Sequence, residues 1–407
     1  MAGPLGHIRV LELSRVLAGP WAAQTLADLG ASVIKVEKPG AGDDTRTYAP
    51  PYASSSGGGQ SGESAYFLST NRGKRSVTID FIHPEGQKLV RALAVKSDVV
   101  IENFKVDGLA KYGLDYASLK QLNPGLVYCS ITGFGQTGPY RHKPGYDFMI
   151  QGIGGLMSIT GEPDQRPGGG PMKVGVAVAD IFTGLYAAIA ILGALAHRDR
   201  TGAGQHIDLA LLDTQVAILA NQAMNYLVTG VAPRRLGNAH PNIVPYQAFA
   251  ASDGHIIVAV GNESQYARLC EVIGRPELAA DERFATNASR VNNRDALIAI
   301  LGGIFAARTM RDWREALERA GVPCGPINTI ADVFADPQVQ ARGVRLDLPH
   351  PAIGSAPSVA NPIKYSATPI AYRSAPPMLG ADTDEVLREI LGVTPSEIAR
   401  MHTAGIV

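Results

Sequence analysis

The sequence predicts an α/β protein with a Rossmann-like large domain, built on a parallel sheet, and a smaller α+β domain. Strand and helix patterns alternate through the first 134 residues, which is typical of a parallel sheet with helices on its faces. From about residue 216 the pattern changes to a hairpin followed by helices. The chain has 407 residues, whereas one domain ordinarily holds roughly 100–200.

The large domain is predicted at residues 1–215 from an ordered series of elements. Alternating or apolar runs predict strands at 8–13, 32–37, 76–81, 98–104, 126–134 and 206–211. Helical patterns lie at 21–29, 84–96, 116–122 and 181–196. Glycine-rich stretches at 54–62 and 161–171 are expected to be loops.

The rest of the chain is predicted as a linker, a small domain and a returning tail. A helical stretch at 214–229 leads through a Pro/Asn/Gly-rich segment, and the linker is placed at 216–240. The small α+β domain is expected at 241–325, where Asp253 and Gly254 between two alternating runs indicate a β-hairpin. Residues 326–407 are expected to return to the large domain, with one helix near 384–391.

Composition excludes several classes of function. Lys+Arg and Asp+Glu both number 37, so no net charge favours nucleic acid or a membrane surface as partner. The three cysteines are far apart and form no CxxC pair, which favours a reduced, cytoplasmic protein without disulfides. No secretory signal is evident, and the apolar stretch at 181–196 is shorter than the ~20 residues of a membrane span. We therefore expect that stretch to be a buried helix.

Several cofactor motifs are missing. The turn after the first strand lacks G-x-G-x-x-G, which disfavours a nicotinamide dehydrogenase. There is no Walker P-loop, no H-E-x-x-H and no G-x-S-x-G, and the nine histidines show no metal-ligand spacing. No metal site is predicted.

Asp180 stands where an apolar segment becomes the long apolar helix. Asp is a favoured N-cap residue, so capping alone explains its position. The helix dipole also favours the anion, and an ionised carboxylate in an apolar setting can act as a nucleophile. From spacing alone both roles remain open.

Basic and polar residues follow several predicted strands, at the edge where parallel sheets bind ligands. Phosphates or the rest of a nucleotide-like ligand could contact them, although solvated turns and core packing explain the same residues equally well. These candidates are Lys38, Arg46, Arg72, Lys74, Arg75, Asn103 and Phe104.

Taken together, these stretches resemble the class III coenzyme A-transferases over essentially the whole chain. The resemblance runs through HIRVLELSRVLAGP, LADLGASVIKVEKPGAGDDTR, NRGKRSVTID, IENFK, YCSITGFGQTGPY, PGYD, VAVADIFTGLYAAIAILGAL and RTGAGQHIDLALLD. It implies that Asp180 is the catalytic carboxylate and that each subunit forms an open ring interlocked with its partner in a homodimer. No permanently bound cofactor is implied, because CoA and acyl-CoA are substrates. The implied CoA contacts are Val16, Leu17, Ala18, Lys38, Asn103, Phe104, Lys105 and Lys111, with Tyr146 and Asp147 of the PGYD motif also counted among them.

Departures from the family pattern narrow the reaction. The related α-methylacyl-CoA racemases carry a histidine in a GHD triplet, where this chain has Tyr146. Residues 236–249 replace the tetraglycine loop of formyl-CoA transferases and look most like the succinyl-CoA:dicarboxylate branch. That branch implies succinyl-CoA as donor and a dicarboxylic acceptor, with Arg46, Arg72 or His240 as candidates to bind the distal carboxylate. The alternatives are an acyl-CoA racemase or isomerase on the same fold, and a non-catalytic CoA-binding subunit.

Overall fold

The computed structural model describes residues 3–55 and 57–407. Its strands, β1 to β13 in chain order, are Arg9–Glu12, Ser32–Glu37, Tyr52–Ser54, Gln60–Ser64, Lys74–Thr78, Val99–Glu102, Val127–Thr132, His206–Ala210, Tyr246–Ala251, Gly254–Ala259, Cys324–Pro326, Arg345–His350 and Gly354–Val359. Its helices, α1 to α17, are Ala18–Asp28, Ala65–Thr70, Pro84–Val95, Tyr116–Leu122, Asp147–Ile153, Leu156–Ile159, Val178–Thr201, Leu211–Ala217, Ala220–Thr229, Glu263–Val272, Asn287–Asn292, Arg294–Phe305, Met310–Arg319, Ile330–Ala335, Pro337–Ala341, Thr383–Leu391 and Pro395–Thr403.

Six parallel strands form the main sheet in the order β5-β2-β1-β6-β7-β8. Strand β1 lies between β2 and β6, with Val10 paired to Val33 on one side and to Val99 on the other. Along the chain, β2 and β5 are added on one side of β1, and β6, β7 and β8 are then added on its other side. The order of strand addition therefore reverses between β1 and β6. The predicted α/β fold with a parallel sheet is confirmed.

Helices cover both faces of this sheet, because successive side chains of a strand point to opposite faces. Val10 belongs to a core shared with α1 and α7, whereas Leu11 belongs to a core shared with α3, α16 and α17. The last helices thus belong to the same core as the first strand. The Asp80 amide donates to the Ile406 carbonyl at 2.8 Å, which fixes the end of the tail beside β5.

The chain divides into two compact units. One contains residues 1–156, 174–224 and 340–407, and it holds the parallel sheet. The other contains 157–173 and 225–339, where β9, β10 and β11 form an antiparallel sheet packed with α10 to α13 around Trp313. The domain boundaries expected from the sequence stay a prediction, because a compact unit in the structure is not necessarily a segment that folds alone.

Some elements differ locally from the expectation. The hairpin at Asp253 and Gly254 is confirmed as β9 and β10. The single helix expected at 214–229 is two helices, α8 and α9, because Ala220 adopts a positive φ of 45° that interrupts the α-helical turn. The expected loop at 54–62 is partly the β3–β4 pair, and Ser56 within it lies outside the described residues. Helix α17 was not predicted.

Helix α7 is longer than the apolar stretch that predicted it. It has 24 residues, and by length and composition it is the one helix in the described parts of the chain that is able to cross a membrane. In its most apolar window 44% of the residues are buried. The expectation of a short, buried helix was therefore wrong in extent, because the helix continues past both ends of the apolar run and one of its faces is exposed.

Candidate active site

A cavity of about 730 Å³ opens at the carboxyl ends of β1 and β6, where the order of strand addition reverses. Open α/β sheets bind ligands at this point because the loops on either side diverge and leave a crevice. Residues 13–18, after β1, and 103–106, after β6, form facing parts of its wall. Of the residues predicted from the sequence, the cavity wall contains Val16, Leu17, Ala18, Lys38, Asn103, Phe104, Lys105, Lys111, Tyr146 and Asp180.

Asp180 reaches this cavity from the first turn of α7. It is the third residue of the helix, and Ala177 occupies the N-cap position. Gly184, one turn later, lets α7 pack closely on α1, since a Cβ there would lie 2.6 Å from the Ala18 carbonyl oxygen. This close approach brings the start of α7 beside the turn that precedes α1.

The N-terminus of α7 is capped by Asp147 instead of Asp180. Asp147 Oδ1 accepts from the Ala179 amide at 2.8 Å and from the Asp180 amide at 3.4 Å. The fully buried Gln151 donates to Asp147 Oδ2 at 2.7 Å and accepts from the Val174 amide at 2.9 Å. Asp147, predicted as a CoA contact, therefore serves the helix start, and the Asp180 side chain needs no part in capping.

Burial, and then the nearby charge of Asp147, raise the pKa of Asp180 to about 7. The helix start was expected to keep this carboxylate ionised. That effect amounts to roughly 0.3–1 kcal/mol at exposed sites, and here desolvation together with a neighbouring anion outweighs it. Asp180 consequently exchanges its proton near neutral pH. The same surroundings, burial first, raise the pKa of the Tyr66 hydroxyl to about 12, so that group stays a hydrogen-bond donor.

The turn at residues 14–17 follows β1 and forms one wall of the cavity. Val16 has a φ of 70°, in the left-handed region that β-branched residues avoid. Such a conformation costs roughly 1–3 kcal/mol and persists only where the surroundings enforce it. Asn103 was predicted to contact CoA, but its side-chain amide holds this turn: it accepts from the Arg15 amide at 2.9 Å and donates to the Arg15 carbonyl at 2.7 Å.

Exposed cations surround the cavity. Lys38, Lys105 and Lys111 lie in its wall as the sequence predicted. Two further cations of the wall, Arg141 and Lys143, were missed because no strand pattern precedes them. Arg15 also lies in the wall, but its Nη1 is 2.8 Å from the Asp44 carboxylate. Phosphate groups bind such clusters through charge-assisted hydrogen bonds.

Four other predicted cations are already neutralised within the protein. Arg46 binds Glu37 through Nε and Nη2, each at 2.8 Å. Arg72 binds Asp28 in the same two-point manner, at 2.9 and 2.6 Å.

The remaining two are committed in the same way. Lys74 is fully buried and contacts Glu12 Oε2 at 2.8 Å, and Arg75 contacts Glu385 at 2.7 Å. The expected phosphate contacts of all four residues are therefore not supported, because each charge faces a carboxylate of the protein. Arg46 and Arg72 are for the same reason unsuited to hold a substrate carboxylate.

His240 belongs to the second unit. Its Nδ1 accepts from the Asn242 amide at 3.0 Å, and its ring lies against Tyr246. In the parts of the chain that the structure describes, no three His, Cys, Asp or Glu side chains cluster as metal ligands.

The family model for CoA-transferase family III matches residues 5–383, nearly the whole chain. The chain belongs to CoA-transferase family III. A crystal structure of a CAIB/BAIF family protein from Brucella suis is similar with a TM-score of 0.84 and 54% sequence identity, covering 96% of this chain and 100% of that one.

Two curated relatives of this CoA-transferase carry names that pair succinate or succinyl-CoA with glutarate. The succinate–glutarate CoA-transferase of Agrobacterium fabrum is 56% identical over 387 residues, which is 95% of this chain and 96% of the relative. The human succinyl-CoA:glutarate CoA-transferase is 42% identical over 404 residues, 99% and 90% of the two chains. Both relatives are named as transferases. The racemase alternative is disfavoured further, because it requires a histidine where this enzyme has Tyr146.

Proposed function

We propose that this enzyme transfers CoA from succinyl-CoA to a short dicarboxylate, with glutarate as the first candidate, and that Asp180 carries the acyl group. The observation behind the proposal is a half-buried carboxylate with a raised pKa in the wall of a cation-rimmed cavity at the sheet's switch point. The names of the relatives at 56% and 42% identity support the pair of acids.

The reaction proceeds in two matched halves. The Asp180 carboxylate attacks the succinyl thioester carbonyl, and the C–S bond breaks to give a mixed anhydride and CoA thiolate. The thiolate then attacks the aspartyl carbonyl, giving an aspartyl-CoA thioester and releasing succinate. Glutarate attacks that thioester, and the thiolate returns to the glutaryl carbonyl, which frees glutaryl-CoA and the Asp180 carboxylate. Every step exchanges one acyl bond for another, as covalent catalysis requires.

Asp180 must be ionised to attack. Its pKa of about 7 means that roughly half of the enzyme is ready at pH 7. Poor solvation also leaves the anion reactive, because little water has to be removed before it meets the thioester carbonyl. Leu17 and Ala18, at the start of α1, line the same cavity. Their backbone amides are assigned to stabilise the tetrahedral oxyanion.

The rim cations divide between two tasks. Lys38, Lys105 and Lys111 are assigned to the CoA phosphates. The distal carboxylate of the dicarboxylate needs a further cation. Arg141 lies in the cavity wall, and its Nη2 is 3.9 Å from the Asp107 carboxylate, which is too long for a hydrogen bond. Its guanidinium therefore suits two-point binding of a substrate carboxylate.

A homodimer, interlocked as the family resemblance implies, is part of the proposal. One face of α7 exposes apolar side chains at helical spacing: Phe182, Leu185, Tyr186, Ile189 and Leu192. Contiguous apolar surface of this kind is typical of protein–protein interfaces, and a second copy of the chain is the occupant we propose. Sedimentation velocity tests it, and a monomer at micromolar concentration contradicts it. A cytoplasmic location stays a prediction, to be tested by cell fractionation.

The central experiment mixes enzyme, succinyl-CoA and glutarate and follows glutaryl-CoA by mass spectrometry. Asp180→Asn should lose transfer while acyl-CoA still binds. Asp199→Asn, an exposed carboxylate near the other end of α7, should keep wild-type rates and is the matched control. Hydroxylamine added with succinyl-CoA should inactivate wild type and leave a hydroxamate at position 180. Transfer by the Asp180→Asn variant, or α-carbon deuterium exchange without an acceptor acid, contradicts the proposal.

A further inference from the structure

The strained turn at residues 14–17 is bound on its backbone by side chains from three separate parts of the large unit. Lys35 Nζ, from β2, donates to the Ser14 carbonyl at 2.9 Å. Asn103, after β6, binds both backbone groups of Arg15. Asp43, from the loop after β2, accepts from the Val16 amide at 3.2 Å through Oδ1 and 3.3 Å through Oδ2. Three consecutive residues of the turn are therefore held by side chains distant in sequence.

Asp43 connects this turn to a buried charge network. Its side chain is 1% exposed, and Oδ2 lies 2.8 Å from Lys35 Nζ. Oδ1 accepts from the Thr45 amide at 2.9 Å and from the Thr45 hydroxyl at 2.8 Å. Lys35 in turn contacts Glu12 at 3.1 Å. Burial opposes ionisation of Asp43, but Lys35 and the hydrogen bonds of Thr45 outweigh it and hold the pKa of Asp43 low.

The remaining charges around Asp43 are also paired. The Asp43 amide donates to Glu37 Oε2 at 2.9 Å, and Glu37 is neutralised by Arg46. The Asp43 carboxylate faces the Val16 amide and the Lys35 ammonium. Asp43 is thus a buried anion that binds Val16, a non-glycine residue of the cavity wall with a positive φ. We therefore look for the role of Asp43 in the conformation of Val16.

We propose that Asp43 is a positioning residue for acyl transfer: with Lys35 it holds Val16 at positive φ, so that the backbone of residues 16–18 faces the acyl-CoA beside Asp180. The inference rests on the proposed function, because it takes residues 16–18 as the surface that contacts the thioester. Asp43 touches no reacting atom in this mechanism, and it acts through the backbone of Val16.

The geometry explains why an amide cannot replace this carboxylate. Oδ1 serves Thr45 and Val16 while Oδ2 serves Lys35 and Val16. Asparagine has one oxygen, so it must direct an NH2 group either at the Lys35 ammonium or at the amides of Val16 and Thr45, all of which are donors. In either orientation, Asp43→Asn replaces one of the two acceptors of the Val16 amide with a donor and sets that NH2 group against Lys35 or Thr45, with little change in side-chain volume.

Substitution of Val16 provides the decisive comparison. Glycine adopts a φ of 70° without steric penalty, whereas alanine does not. If Asp43 enforces the strained conformation, Val16→Gly makes Asp43 partly dispensable, and Val16→Ala removes the same side-chain branches without relieving the strain.

The test measures kcat and KM for succinyl-CoA with glutarate in wild type, Asp43→Asn, and Asp43→Asn combined with Val16→Gly or with Val16→Ala. We expect Asp43→Asn to lower kcat about tenfold or more with KM changed less than about threefold. Val16→Gly should restore kcat at least about fivefold in that background, and Val16→Ala should not. Equal rates for the two double variants, or wild-type kcat for Asp43→Asn, overturn the proposal.

A second measurement needs neither activity nor the Asp43 variant. At ordinary helix or strand positions glycine is less stable than alanine, but at positive φ the order reverses. The single variant Val16→Gly should therefore melt at a higher temperature than Val16→Ala, and the opposite order overturns the proposal even if Asp43→Asn does not fold. Failure of the proposed function is recognised separately, since wild type would then make no glutaryl-CoA while the melting order still stands.

Discussion

The raised pKa of Asp180 has a consequence for stability that can be calculated. The carboxyl titrates at about 7 in the folded enzyme against a reference value of 3.8. An acid whose pKa is raised by folding stabilises the folded state fully below its unfolded pKa, and this contribution is lost as the pH rises through the folded value. Between pH 5 and pH 8 the loss amounts to about 3 kcal/mol for one such group.

The substitution that isolates this effect is Asp180→Asn, because the amide has similar size and does not titrate. The free energy of unfolding of the variant, measured relative to wild type, should increase by about 3 kcal/mol between pH 5 and pH 8, because only wild type is destabilised as Asp180 ionises. Urea denaturation followed by circular dichroism at one fixed protein concentration measures it, with the concentration held constant because association adds to apparent stability.

Other titrating groups are present in both proteins and cancel in the difference. Asp199→Asn, at the exposed end of the same helix, should differ from wild type by a similar amount at both pH values. If the Asp180→Asn difference is also independent of pH, Asp180 is not the desolvated acid described above, and the argument for its reactivity fails with it.

Four further predictions follow from the same contacts. The value of kcat/KM should rise about tenfold from pH 6 to pH 8 as Asp180 ionises, and a flat profile over this range contradicts the assignment. Asp147→Asn removes the neighbouring charge, so the midpoint of that profile should move to lower pH, as a rate titration will measure; an unmoved midpoint would mean that burial alone sets it. Arg72→Met should destabilise the fold by about 3–5 kcal/mol in urea titrations, since it leaves the buried Asp28 without its partner, while KM for acyl-CoA in the surviving folded enzyme stays at the wild-type value. Lys111→Ala should raise that KM severalfold at low salt and less at high salt; equal effects at both salt concentrations would argue against a phosphate contact.

The strand and helix order could be predicted because each element carries its own local pattern. Helix α17 was missed although Thr394 and Glu397 form a capping box and Pro395 occupies the first turn, the usual signature of a helix start. The break between α8 and α9 had no such signal, since Ala220 is an ordinary helix former that takes a positive φ only in its tertiary context.

The residues of the candidate site also differ in how far local sequence patterns could predict them. The sequence motifs named Asp180, Lys38, Lys105 and Lys111, and the structure places all four in the wall of one cavity, while their roles stay a prediction. The pairing of Arg72 and Lys74 could not be predicted, because their partners, Asp28 and Glu12, are distant in sequence and no local pattern reveals which basic residues are paired. Lys35 carried a usable sign that was overlooked: a lysine in the middle of a strand from a doubly covered parallel sheet is buried and requires an anion.

The large unit is assembled from three stretches of chain that are far apart in sequence, and this affects how the protein is made. Val386, Leu387, Ile398 and Met401 complete the core around β1 and β5, so the first strands to leave the ribosome wait for nearly the whole chain before that face is covered. The second unit, drawn mainly from residues 225–339, can complete its own core earlier. We therefore expect folding to run opposite to the usual order, in which the N-terminal domain folds first. Chains that stop before residue 383 should expose the apolar face of the sheet and become substrates for chaperones and proteases.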